Sequence, residues 1–158
     1  MPIDIASAKD PSTTEASTLL ADPDMVLFME NIPQHMGLKL NMGQVGFYRT
    51  HYSKNMLDLL VPAIKNHSFG PRDRLGIEND AYALSVAGLM PTQEYLEILK
   101  AYANETNYTV WNDITSNLRR ISMLLQYTEL DSFFRTFMLE VFKPLGERLG
   151  WEEKSGEG

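Results

Sequence analysis

The sequence predicts an α+β chain whose two parts are segregated. A partial antiparallel β-sandwich occupies residues 1–52, and an all-α helical array occupies residues 53–158. Two observations carry this. Residues 38–53, LKLNMGQVGFYRTHYS, read as a strand, a Gly-bearing turn and a second strand. At Ser53 the pattern changes: before it the chain is β-like throughout, and after it apolar residues recur at helical spacing.

PIDIAS at 2–7 alternates Ile3 and Ile5 against Asp4, as a half-buried strand does. KDPSTTEAST at 9–18 is polar and contains Pro, so it reads as a loop. MVLFME at 25–30 is a β-rich run after the turn signal DPD, and NIPQHMG is a second loop. In the hairpin that follows, Gly43 and Gly46 supply the freedom for a tight reversal. Phe47, Arg49 and His51 then face one way, and Tyr48, Thr50 and Tyr52 the other. Four such strands leave an apolar face open unless further strands cover it.

Ser53 is the expected N-cap of a first helix carrying Met56, Leu57, Leu60, Val61 and Ile64, which Pro62 should kink or shorten. FGP at 69–71 places Pro in the first turn of a second helix, which Gly88 stops. Its apolar residues are Leu75, Tyr82 and Val86, with Ile77, Ala81 and Leu84 beside them. Thr92 is the expected cap of a third helix burying Tyr95, Leu96, Leu99 and Tyr102. A fourth runs from about Tyr108 to Gln126 with Val110, Trp111, Ile114, Leu118, Ile121 and Leu125 in register. A fifth carries Leu130, Phe133, Phe134, Phe137, Met138, Val141 and Phe142 as far as Pro144, and the tail EEKSGEG is polar and expected to fray. Short loops make consecutive helices antiparallel neighbours, which suits a bundle or a solenoid equally.

Composition is that of a soluble globular chain, 44% hydrophobic and 22% charged. A net charge of −7 offers no electrostatic footprint for nucleic acid and is repelled by anionic membranes; it reads as plain solubility. The absence of cysteine excludes disulfides and thiolate metal sites. MPIDIASAKD lacks the basic and apolar regions of a signal peptide, and no apolar run approaches a membrane span, so the expected location is cytoplasmic. The sequons at Asn66, Asn104 and Asn107 then read as helix-end capping residues.

Four blocks in order, LNMGQVGFYRTHYS, DRLGIENDAYALSVAG, NETNYTVWNDITSNL and FKPLGERLGWEEKSGEG, resemble the gluzincin zinc aminopeptidases, specifically the puromycin-sensitive aminopeptidase branch. The first block is similar to the last strands of that family's β-sandwich domain, and the others to the opening helices of its C-terminal helical domain. One departure is Gly37, where the family tends to carry Trp just before the KLN strand. The resemblance decides for the start of a superhelix and implies that GERLGW continues as a further turn. It also implies a parent enzyme that uses zinc to remove N-terminal residues from peptide substrates. No HExxH motif occurs in these 158 residues, nor do the amine-binding acidic loop and the tyrosine segment of that family.

The chain is therefore expected to be an internal, non-catalytic piece of such an enzyme, with the catalytic domain as its partner. It would enclose the active site and shape peptide access, with no catalytic, cofactor-binding or metal residue of its own. The rival reading is a stand-alone superhelical scaffold that has lost the protease.

Three groups carry residue types suited to chemistry. His35, His51 and His67 fall in separate elements, so a zinc site requires tertiary folding to gather them, and isolated surface histidines are commoner. Asp73, Arg74, Glu78 and Asp80 crowd the start of helix two, where Arg74 and Glu78 at i,i+4 suit a surface pair worth about 0.3–0.5 kcal/mol. Their alternative is to face the parent enzyme's substrate chamber. Arg49, at the junction, is placed to hydrogen-bond to helix one or two. The Met and Phe stripe of helix five reads as core left partly exposed, which favours self-association.

Overall fold

A computed structural model describes residues 1–150. Residues 151–158, which hold the tail EEKSGEG and Trp151 of the fourth resembling block, lie outside the described residues. The architecture is α+β: among the described residues, one three-stranded antiparallel sheet precedes five α-helices. The strands are β1 (Pro2–Ser7), β2 (Thr14–Leu19) and β3 (Leu38–Leu40), in the order β2-β1-β3. The helices are α1 (Lys54–Lys65), α2 (Pro71–Val86), α3 (Thr92–Leu99), α4 (Tyr108–Leu125) and α5 (Asp131–Leu149).

The sheet differs from the expected one at three places. TEASTL, read as loop, is strand β2: it forms a polar edge, with Ile3 opposite Thr18 and the Ser17 hydroxyl donating to Asp4 Oδ1 at 2.6 Å. An edge strand with little buried side chain has no need of an apolar pattern. MVLFME forms no strand. Both edges of β1 are occupied, and Val26 and Phe28 stand 76% and 87% exposed. The hairpin is also absent. After β3, Asn41 takes a left-handed conformation and Met42–Gln44 close a 3₁₀ turn. Asn41 then accepts from the Gly46 amide through Oδ1 (2.7 Å) and donates to its carbonyl through Nδ2 (2.9 Å). This diverts the chain onto α2. Residues 47–52 still alternate in exposure as expected, with Phe47, Arg49 and His51 outward and Thr50 and Tyr52 buried. Their backbone, however, pairs with no strand. At the other end of β3, Gly37 has no room for a side chain: a Cβ would lie 2.5 Å from the Leu59 carbonyl oxygen of α1.

The helical part follows the apolar spacing closely. Ser53 Oγ accepts from the Met56 amide and caps α1, whose Leu57, Leu60 and Ile64 are buried. Pro62 neither ends nor shortens α1; it sits on the solvent face, and the helix runs through it to Lys65. Pro71 opens α2 as its first residue. Gly88, at φ +72°, ends it: the Gly88 amide donates to Ser85 O and the Leu89 amide to Leu84 O, closing a Schellman motif. The buried apolar residues of α2 are Ile77, Ala81 and Leu84; Val86 is exposed.

Thr92 does not cap α3, because Pro91 holds the cap position and Thr92 is already helical, its Oγ1 accepting from Ser85 Oγ. Tyr95, Leu99 and Tyr102 are fully buried as expected. In α4 Val110, Trp111, Ile114, Leu118 and Ile121 are buried. Helix α5 runs through Pro144 without a break and packs chiefly on α4, with Trp111 and Phe142 rings 5.6 Å apart. No helix of the described residues is long and apolar enough to cross a membrane.

Candidate functional site

Helix α2 is the axis of the molecule, with the 3₁₀ turn, α3 and α4 all packed on it. Its sequence, PRDRLGIENDAYALSV, spreads apolar and charged residues over every face. A helix enclosed on several sides must therefore bury charge as well as carbon. Asp73, Arg74, Glu78 and Asp80 are all buried, which overturns the surface pairing of Arg74 with Glu78. Each instead meets a polar or charged partner from another element, because a buried polar group or ion without one is destabilising.

Asp73 and Asp80, two turns apart, face the incoming chain. Asp73 Oδ1 accepts from the Gly43 amide at 2.7 Å and lies 3.4 Å from the buried Lys39 ammonium. Burial lowers the Lys39 pKa, and Asp73 opposes that shift. Asp80 Oδ2 accepts from the Thr50 amide, and Oδ1 from Arg49 Nη1, both at 3.0 Å. Arg49 also donates to Asn79. The expected link from Arg49 to the helices is thus made to α2. Between the two acids lies Gly76, where the Gln44 side chain crosses so closely that a Cβ would sit 1.7 Å from Gln44 Nε2. The carboxylates take the place of the missing strand partner for residues 43–50.

On the inner face, Arg74 grips Glu105 with both arms, Nε to Oε2 at 2.6 Å and Nη2 to Oε1 at 2.8 Å. Its third nitrogen donates to Phe69 O at 2.6 Å. Burial would raise the Glu105 pKa, but Arg74 and the amides of Thr106 and Asn107 outweigh it and hold the carboxyl below its ordinary value. The Glu105 carbonyl accepts from Trp111 Nε1 at 2.9 Å and from Arg148. One loop residue thereby joins α2, α4 and α5. Deeper in, Glu78 Oε1 accepts from Tyr95 OH at 2.7 Å and from Asn117 Nδ2 at 3.1 Å. Burial first, and the neighbouring Asp113 second, push the Glu78 pKa up to about 8. Tyr95 and Tyr102 are raised too, mainly by burial.

The histidines are not gathered: His35 lies in the loop before β3, His51 in the extended segment and His67 after α1, all exposed. Asn107 caps α4, accepting from the amides of Thr109 and Val110, and Asn66 accepts from Ser68 at the end of α1, while Asn104 sits exposed in the loop before α4. Sequence reasoning missed Lys39, Glu105, Asn117 and the two tyrosines as partners of α2. The one available signal was α2 itself, a helix too evenly charged to have a solvent face yet flanked by strongly apolar helices.

Residues 38–158 match the ERAP1-like C-terminal domain family. This chain belongs to that family. Similar proteins include a puromycin-sensitive aminopeptidase of Caenorhabditis elegans, 28% identical over 99% of this chain and 17% of the relative. Aminopeptidase M1-A of Oryza sativa is 32% identical over 77% of the chain and 14% of the relative, and aminopeptidase M1 of Arabidopsis thaliana 34% over 76% and 14%. The chain thus spans 14–17% of the length of these curated relatives.

The zinc that the resemblance implies finds no fitting ligand set among the described residues. Among the described residues, no three His, Cys, Asp or Glu side chains converge on a metal position. The buried carboxylates Asp73, Asp80 and Glu105 of this ERAP1-like domain are already taken up by cations and amides. What the arrangement does chemically is fasten α2 to the segment 39–50, to α3 and α4, and to the 105 loop.

Proposed function

We propose that the chain acts as a non-catalytic portion of a zinc metalloaminopeptidase, with a catalytic domain supplied elsewhere in the same enzyme. In this reading the helices open a right-handed superhelix, and the sheet is the end of a β-sandwich, with the boundary near Ser53. The unit encloses the active site and governs which peptides reach it, in the cytoplasm. The observation that carries it is the family match over residues 38–158, taken with buried charges that are consumed in structural pairs. A helical unit held rigid by such pairs suits a wall that limits access.

The test is an exchange. The matching segment of the worm relative is replaced by this chain, and hydrolysis of an aminoacyl-anilide is compared with that of longer peptides. A change confined to the longer peptides is expected. Stoichiometric zinc and chelator-sensitive hydrolysis in the isolated chain would overturn the reading. A stand-alone scaffold is the second reading. It is favoured by the apolar groove of about 350 Å³ between α3 and α5, lined by Leu96, Leu125, Leu130, Phe133 and Phe137. An exchange that leaves every substrate unaffected would support it.

A further inference from the structure

Glu78 is the one acid of α2 that no cation reaches. It is fully buried, and its two oxygens are treated unequally. Oε1 takes donors from α3 and α4, Tyr95 OH and Asn117 Nδ2. Oε2 is buried, and none of the described residues donates to it. The neighbouring acid is Asp113 on α4, whose carboxyl acts on Glu78. Asp113 Oδ2 accepts from Asn79 Nδ2 at 2.9 Å, and from the same Asn117 amide at 3.4 Å. Two carboxyls therefore share one amide donor, the Glu78 side fully buried and the Asp113 side half-buried at the surface.

The charged and titratable groups packed around this part of α2 have partners of their own. Arg74, one turn earlier on α2, is committed to Glu105 and the Phe69 carbonyl. Tyr102, from the 3₁₀ turn after α3, donates to the Arg74 carbonyl. Tyr95 packs against the Tyr82 ring at 5.4 Å and spends its proton on Oε1. Asp80 is held by Arg49 and the Thr50 amide. Ionised, Glu78 would have an oxygen without a donor beside another carboxylate, which a buried site does not tolerate. As an acid, the same oxygen becomes a donor and Asp113 its acceptor.

We propose that Glu78 is kept as a neutral acid whose Oε2–H donates to the Asp113 carboxylate, and that this proton fastens α4 to α2 as a pH-sensitive latch. The sign follows from proton counting. Glu78 titrates near 8 in the fold against an ordinary 4.5, so the native state holds the proton more tightly than the unfolded chain. The latch is complete below the ordinary value and is lost as pH rises through about 8. Over that window the folding equilibrium falls by up to about tenfold per pH unit.

The experiment takes the full chain. Infrared difference spectra across the window monitor the carboxylic-acid C=O band, while denaturant titrations followed by fluorescence of a Trp151→Phe background, in which Trp111 is the one tryptophan left, monitor α4. Wild type should show a buried acid band at neutral pH that disappears through about 8. In Glu78→Gln, whose amide also donates, that band should be absent and the pH dependence flattened. In Asp113→Asn, which removes the neighbouring charge, the band should stay and its midpoint should move to lower pH. No acid band in wild type at neutral pH would overturn the proposal, and that reading needs no variant to fold. A Glu78→Gln protein with the wild-type pH profile, or one that cannot fold, would overturn it too.

Discussion

Helices α2 and α5 are comparable in length, 16 and 19 residues, and opposite in what they bury. α2 encloses Asp73, Arg74, Glu78 and Asp80, while α5 buries only Phe134 and Val141 fully. Phe133 and Leu139 of α5, and Leu124 and Tyr127 just before it, stand 57% exposed or more, as does Leu130. Position in the packing, not composition, decides burial. α2 is surrounded, so Asp73, Arg74 and Asp80 each meet an opposite charge, and Glu78 meets neutral donors. α5 has α4 on one side and open surface on the other, so carbon that would suit a core faces solvent. The first helix holds its charges by pairing; the second carries an apolar face that nothing in the described residues covers.

Three substitutions sharpen the contrast, in order of expected effect. Glu105→Ala leaves Arg74 buried without its anion and should cost about 3–5 kcal/mol in denaturant unfolding. Gly76→Ala places a Cβ against the Gln44 side chain, and should cost about 1 kcal/mol as that side chain is displaced from α2. A neutral result there would mean that the Gln44 side chain swings away freely. Phe133→Ser on α5 should change stability by less than about 0.5 kcal/mol. It should, however, reduce hydrophobic-dye binding and self-association measured by sedimentation. A large loss of stability at Phe133 would show that α5 is as enclosed as α2.

The helices were legible because their signals are local. Ser53, Pro71, Gly88 and Asn107 mark ends through their own backbone and side chains, and the apolar spacing of α4 maps directly onto its buried face. The strands were not, because a strand is defined by its partner. TEASTL has no apolar pattern and pairs with β1 regardless, whereas MVLFME has the pattern and finds no free edge. GFYRTHY kept its alternation while its backbone went to Asp80 instead of a neighbouring strand.

The charged residues of α2 were visible as a group, and Arg49 was correctly directed to the helices. The partners of α2 lie some 17–39 residues from it along the chain, as with Tyr95 and Asn117 for Glu78, and no local spacing points to them. Short-range rules placed Arg74 with Glu78, four residues on. Burial, which sequence spacing does not report, sent it to Glu105.

The charges of α2 are structural and act through their partners on other elements. A double-mutant cycle on Arg74→Met and Glu105→Leu, read as unfolding free energy, tests this most directly. Each single change strands a buried charge, whereas the double change removes both. The double mutant should fall well short of the summed losses, with a coupling of about 2 kcal/mol or more. Additivity within about 0.5 kcal/mol would contradict it, because Arg74 and Glu105 would then contribute independently.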